Sequence, residues 1–134
     1  MTIASFDDLL RSARQQTEPQ LLLFVFTTAG LPDDATPEQR ARFQVGEGGT
    51  LTPLMCVDKS PDALPSFEVL FEESRQAGPS WDIVFVAALS GSAGRRPTST
   101  DAEEPLQRMV ESIKSGRIGN FIPFDVHGRP VSFG

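Results

Sequence analysis

Cysteine, histidine, lysine and tyrosine are almost missing from this 134-residue chain, which has one Cys, one His and no Tyr, and whose lysines are Lys59 and Lys114 alone. A single thiol, Cys56, cannot close an internal disulfide or build a Cys-rich zinc site, and a single imidazole, His127, excludes every multi-histidine metal motif. No metal or other cofactor is therefore expected. Basic charge is scarce too: 12 Lys and Arg face 18 Asp and Glu, for a net charge of −6. Nucleic acids and anionic membranes recruit proteins through clustered Lys and Arg, so neither is an expected partner. Long apolar runs are absent as well. Leu21 to Phe26 and Ile83 to Leu89 fall far short of the ~20 residues of a membrane-spanning helix. Asp7 and Asp8 stand where an export signal would carry its apolar stretch. Together with the lone Cys, these features predict a cytoplasmic protein.

What is present suffices for a core: 39% of the residues are hydrophobic and 10 are Phe. This predicts one globular domain over residues 1–134. Phe6, Leu9, Leu10 and Ala13 recur at helical spacing behind Ser5 as N-cap, with Asp8 at the capping-box position. Residues 20–27 run without polar alternation and predict a strand covered on both faces. Thr36-Pro37-Glu38-Gln39 starts a short helix that Gly46 stops. Thr50 to Val57 reads as a strand that Pro53 demotes to an edge or irregular position. Ser66 caps a helix presenting Phe67, Leu70, Phe71 and Ser74, closed by Gly78-Pro79. Trp81 to Leu89 is a second unbroken apolar strand, followed by a mobile-looking loop from Ser90 to Thr100. Leu106, Met109, Val110 and Ile113 mark a last helix, in which Pro105 is tolerated in the first turn. Ile118 to Phe124 and Val131 to Phe133 flank Asp125-Val126-His127-Gly128 as a hairpin with Gly128 left-handed.

The order α-β-α-β-α-β-α-β-β predicts an α/β fold: a mixed, mostly parallel central sheet, helices on its faces and a C-terminal β-hairpin. A thioredoxin-like arrangement is the alternative, without the Cys-x-x-Cys that its redox chemistry needs. If strands 21–27, 81–89 and 118–124 run parallel, the loops after them meet at one sheet edge. Thr27, Thr28, Ser90, Ser92, Arg95, Arg96, Asp125 and His127 then converge on one crevice, which Asp58 and Lys59 could join. Its sharpest reading is a small anion held by N–H groups around Gly91 and Gly94 and by the Arg95 and Arg96 guanidiniums. Neither the Walker nor the dinucleotide spacing occurs, and Asp101, Glu103 and Glu104 place competing negative charge at the next helix start. A solvated loop is the plainer reading.

A Ser92, Asp125 and His127 triad lacks the Gly-x-Ser-x-Gly elbow and the helix that should follow it. His127 reads more simply as a solvated turn residue. Cys56, between Met55 and Val57, reads as a small buried hydrophobe in a strand rather than a thiol nucleophile. Glu68, Glu72, Glu73, Glu103, Glu104 and Glu111 read as solvated helix faces rather than metal carboxylates.

The stretches Leu22-Leu23-Phe24-Val25-Phe26, Leu31 to Gln39, Leu51 to Lys59, Trp81 to Gly91 and Gly116-Arg117-Ile118-Gly119-Asn120-Phe121 resemble, over nearly the full length, a family of short, uncharacterised bacterial proteins. Members sometimes carry the label ribonucleotide reductase subunit alpha. Such a catalytic subunit is several times longer and uses multiple cysteines, against Cys56 alone here, so the resemblance implies a bacterial, self-contained domain and carries over no catalytic residues. The chain accordingly reads as a non-catalytic binding or protein-interaction module, its partner another protein or a second copy. The alternative is a sensor or enzyme for a small anionic ligand at the C-terminal edge of the sheet.

Overall fold

The computed structural model describes residues 3–30, 36–38 and 50–132. Helix α1 (Phe6–Arg14) begins where its cap dictates: the Ser5 hydroxyl accepts the Asp8 N–H at 3.2 Å, and the Asp8 carboxylate reaches back to the Ala4 N–H at 3.0 Å. Strands β1 (Gln20–Gly30) and β2 (Thr50–Lys59) follow, then a 3-10 turn (Pro61–Ala63), α2 (Phe67–Ala77), β3 (Ile83–Ser90), α3 (Ser99–Lys114) and β4 (Ile122–Phe124). Residues 37 and 38 are helical, as their N-cap signal predicts; the rest of that helix and its Gly46 stop lie outside the described residues.

The strands lie in the order β2-β1-β3-β4, and every neighbouring pair is antiparallel. The expected mostly parallel sheet is thus overturned, although helices do cover both its faces. The physical reason is that unbroken apolar runs report two covered faces and not strand direction. Helices α1 and α2 bury Phe6, Leu9, Leu10, Phe67 and Leu70 with Phe24, Phe26, Val84 and Phe124 on one face. On the other, α3 buries Ala102, Leu106, Met109 and Ile113 with Leu23, Val25 and Phe85. Parallel relations survive only between strands that are not neighbours: β2 and β3, joined through α2 but separated by β1, and β1 and β4, separated by β3. The expectation that strands 21–27 and 81–89 sit together at the sheet centre holds, with Leu22 opposite Ala88 and Val25 opposite Phe85.

Three further expectations change. Helix α3 starts at Ser99 rather than near Pro105: Thr98 and Asp101 form a reciprocal capping box, and Pro105 lies in the second turn. The C-terminal strand shrinks to Ile122–Phe124, because Ile118 to Phe121 form a turn (Phe121 N–H to Ile118 C=O, 3.2 Å) whose side chains pack against the α3 layer. The turn beyond it keeps its predicted form. Asp125 Oδ1 accepts the His127 and Arg129 N–H groups at 2.8 and 3.0 Å, and Gly128 has φ +75°. Cys56, expected to be buried, is exposed on the edge strand β2, opposite the fully buried Val25.

The α1/α2 layer holds a cluster of aromatic rings, with centroids 5.3 Å apart for Phe6 and Phe124 and 5.1 Å for Phe26 and Trp81. A polar joint within it is Ser74, whose hydroxyl accepts the Trp81 indole N–H at 2.8 Å and donates to the Phe71 carbonyl at 2.7 Å. Ser74→Ala leaves that indole N–H buried without an acceptor, and a loss of about 1–3 kcal/mol is expected. Because Trp81 is the sole tryptophan, native-state fluorescence should report the change directly. An unaltered emission spectrum together with unaltered urea stability would show that the bond is not there.

Candidate functional site

The antiparallel sheet separates residues that a parallel one would have gathered. Ser90 lies opposite Gln20 at one end of β1–β3, whereas Thr27 lies opposite Ile83 at the other, and Phe124, which leads into Asp125 and His127, pairs with Val84. From Val84 to Ser90 the strand runs roughly 20 Å. Ser92, Arg95 and Arg96 therefore occupy one end of the sheet, and Asp125, His127, Thr27 and Thr28 the other; no Ser92-Asp125-His127 constellation forms. Asp58 and Lys59 do lie at the Ser90 end, since Lys59 pairs with Leu22, and Asp58 accepts the Ser99 hydroxyl at 2.7 Å. His127 is an exposed turn residue.

The 90–98 loop is built rather than irregular. Ser92 and Arg95 exchange both backbone hydrogen bonds (3.2 and 3.0 Å) around Ala93 and Gly94, whose φ values of +51° and +76° make a tight two-residue hairpin turn. The donors proposed for an anion are mostly engaged. Gly91 N–H donates to the Pro19 carbonyl (2.8 Å), Gly94 N–H to the Glu18 carboxylate (2.9 Å), and Arg96 to the Gln20 carbonyl (3.2 Å) and the Asp62 carboxylate (2.9 Å). Arg95 is different: it is exposed, and among the described residues its guanidinium has no ion-pair or hydrogen-bond partner. Across the loop, Asp101 accepts the Thr98 N–H at 2.8 Å, and that bond, with the Thr98 hydroxyl, holds its carboxyl below the usual range. The cap is accordingly complete above the ordinary carboxylate pKa and weakens as pH falls through the lowered one.

A feature that sequence reasoning missed lies beside this loop. β4 covers β3 from Val84 to Val86 only, so Ala87 to Ser90 pair with β1 on one side and, among the described residues, with no strand on the other. Exposure follows: Val84, Phe85 and Val86 are buried, while Ala88 and Ser90 are exposed. Two observations fix which backbone groups are free. Gly91 N–H points to β1, and Phe85 is opposed on β4 by Pro123, which has no N–H and gives its carbonyl to Val131. Alternation then turns the N–H and C=O of Ala88 and Ser90 outward.

The two outer edges of the sheet differ in kind. β2 carries Pro53, a register shift at Phe26/Thr27, Asp58 and Lys59, with Lys59 paired to Glu73 on α2; proline, bulges and charge are the devices that keep edge strands from pairing. The β3 edge, Ala87-Ala88-Leu89-Ser90, has no charge, proline or register shift. It runs between two grooves. One, of about 270 Å³, is lined on the α1 side by Ile3, Leu9, Ala13, Ala88 and Ile122; the other, of about 380 Å³, by Leu89, Ser90, Ser92, Arg95 and Asp101. A groove of about 460 Å³ between β2 and α2 has the paired Lys59 and Glu73 in its lining.

Among the described residues no group of three or more His, Cys, Asp or Glu is placed to hold a metal ion, and every buried side-chain polar atom has a partner. No helix among them is long and apolar enough to cross a membrane. Comparison with protein-family models, curated proteins and solved structures found no match in any of the three.

Proposed function

We propose that this chain is a non-catalytic protein-interaction module that takes up an extended segment of a partner chain along the open edge of β3. The observation that carries the reading is the run Ala87 to Ser90, neutral, without a register shift and, among the described residues, unpaired on its outer side, with Ala88 and Ser90 exposed and an apolar groove beside it. An added strand gains main-chain hydrogen bonds from the edge, while its alternate side chains enter the groove and supply selectivity. A small anionic ligand is the second reading and rests on the free guanidinium of Arg95. The other donors of that loop already serve Pro19, Glu18, Gln20 and Asp62.

Ala88→Pro tests the proposal. The Ala88 N–H points away from β1, so its loss removes no ladder bond within the fold, yet it takes a donor from any added strand. The probe is a labelled pool of ten-residue peptides with mixed Val, Ile, Thr, Ala and Phe over six consecutive positions. We expect the wild type to retain members of the pool with slowed amide exchange at Ala88 and Ser90, and the variant to melt within a few degrees of wild type while losing at least tenfold in affinity. Retention that is indifferent to Ala88→Pro, or no retention, overturns the proposal.

A further inference from the structure

We infer that the segment bound by β3 presents a carboxylate to Arg95, from its own C-terminus or from an acidic side chain, at the Ser90 end of the edge. This rests on the strand-addition reading above and adds the chemistry of the partner to it. The two grooves take successive residues of the edge: Ala87 and Ala88 line the apolar one, and Leu89 and Ser90 line the polar one, to which Arg95 also contributes. A strand laid along Ala87 to Ser90 and prolonged by one or two residues, at about 3.3 Å each, passes from the first into the second.

Charge then selects the group. Arg96 is held by Gln20 and Asp62, whereas Arg95 is exposed and, among the described residues, unengaged. The nearby carboxylates do not serve it, since Asp101 is turned to Thr98 and Glu18 to the Gly94 N–H. With the N–H groups of Gly91, Ser92, Gly94 and Arg95 already donated within the fold, no cluster of backbone donors remains for a multiply charged phosphate. A planar guanidinium acting alone matches a planar carboxylate, which it can grip with two parallel hydrogen bonds.

The experiment uses the peptide pool in three forms: free C-terminal acid, C-terminal amide, and amide with Glu at the last position. Affinities are read by fluorescence anisotropy at physiological salt on the wild type, Arg95→Gln and Ala88→Pro. On the wild type we expect the acid, the Glu-amide or both to bind at least tenfold tighter than the plain amide, and which of them does identifies the source of the carboxylate. Arg95→Gln should erase that advantage and leave plain-amide affinity and melting temperature unchanged. If all three forms bind alike and Ala88→Pro still abolishes binding, the carboxylate inference falls and strand addition stands. If none of the forms binds, strand addition itself falls.

Discussion

Truncating Phe85 to alanine is expected to remove about 3–5 kcal/mol of folding free energy. The ring is fully buried, sits on β3 opposite Val25 and Pro123, and is, among the described residues, the one aromatic in the buried cluster beneath α3, packed with Leu106, Met109 and Ile113. Deleting it leaves a cavity bounded by the sheet on one side and the helix on the other, and neither can close in without breaking its own hydrogen bonds. Against a total stability of roughly 5–15 kcal/mol for a domain of this kind, the loss is a large fraction. Urea unfolding should show a lowered midpoint at unchanged slope. Trp81 lies in the opposite layer, so coincident fluorescence and circular-dichroism transitions would show the two layers melting as one unit. A loss near zero would mean that α3 does not cover Phe85.

Phe85 also marks how far the sequence could be read. The absence of polar alternation in residues 20–27 and 81–89 announces two covered faces, and the central pairing of β1 with β3 follows, although on β3 the full cover stops at Val86. Strand direction does not follow, because a helix layer on each face buries an antiparallel sheet as completely as a parallel one. The helix caps at Ser5 and Ser66 were legible because capping depends on residues three or four apart. The contacts that decide the site are not of that kind. Arg96 is committed to Gln20 and Asp62, 76 and 34 residues away, and Gln20 donates to the Ser90 hydroxyl across 70 residues. No local pattern encodes such pairings.

The open edge was hidden for a related reason. Ile118 and Phe121 look like strand residues because they are apolar, but they turn onto the α3 layer and leave β4 three residues long. Two local signals did point that way: Pro123 in the middle of the short strand, which limits it to pairing on one side, and the small pair Ala87-Ala88, which ends the bulky run of β3. The loop after them could be placed by composition at a strand end. Its tight turn depends on an alanine with positive φ, which residue type alone does not suggest.

Gly91→Ala should be the most damaging change at the candidate site, with an expected loss of about 3 kcal/mol. Gly91 directly follows β3, and a Cβ there would lie 2.0 Å from the Arg95 carbonyl oxygen, 2.9 Å from its carbon and 3.0 Å from the Pro19 oxygen. All three are backbone atoms, so no side chain can rotate away to make room. Relief requires the Arg95 strand segment to move by about 1 Å or more, which breaks the paired hydrogen bonds between Ser92 and Arg95 and pulls on Arg96, tethered to Gln20 and Asp62. Gly94→Ala is the matching control: its site is open, and its φ of +76° carries only the left-handed penalty of roughly 1–2 kcal/mol. Urea unfolding of the two variants should therefore rank Gly91→Ala below Gly94→Ala, with amide exchange at Ser92 and Arg95 accelerated most in the former. Because the same turn sets Arg95 beside the β3 edge, Gly91→Ala should also cancel the preference for carboxylate-bearing peptides at temperatures where the domain is still folded. Equal stability of the two glycine variants would show that the Arg95 carbonyl does not occupy the space beside Gly91 and that the turn positioning the guanidinium is not the one described.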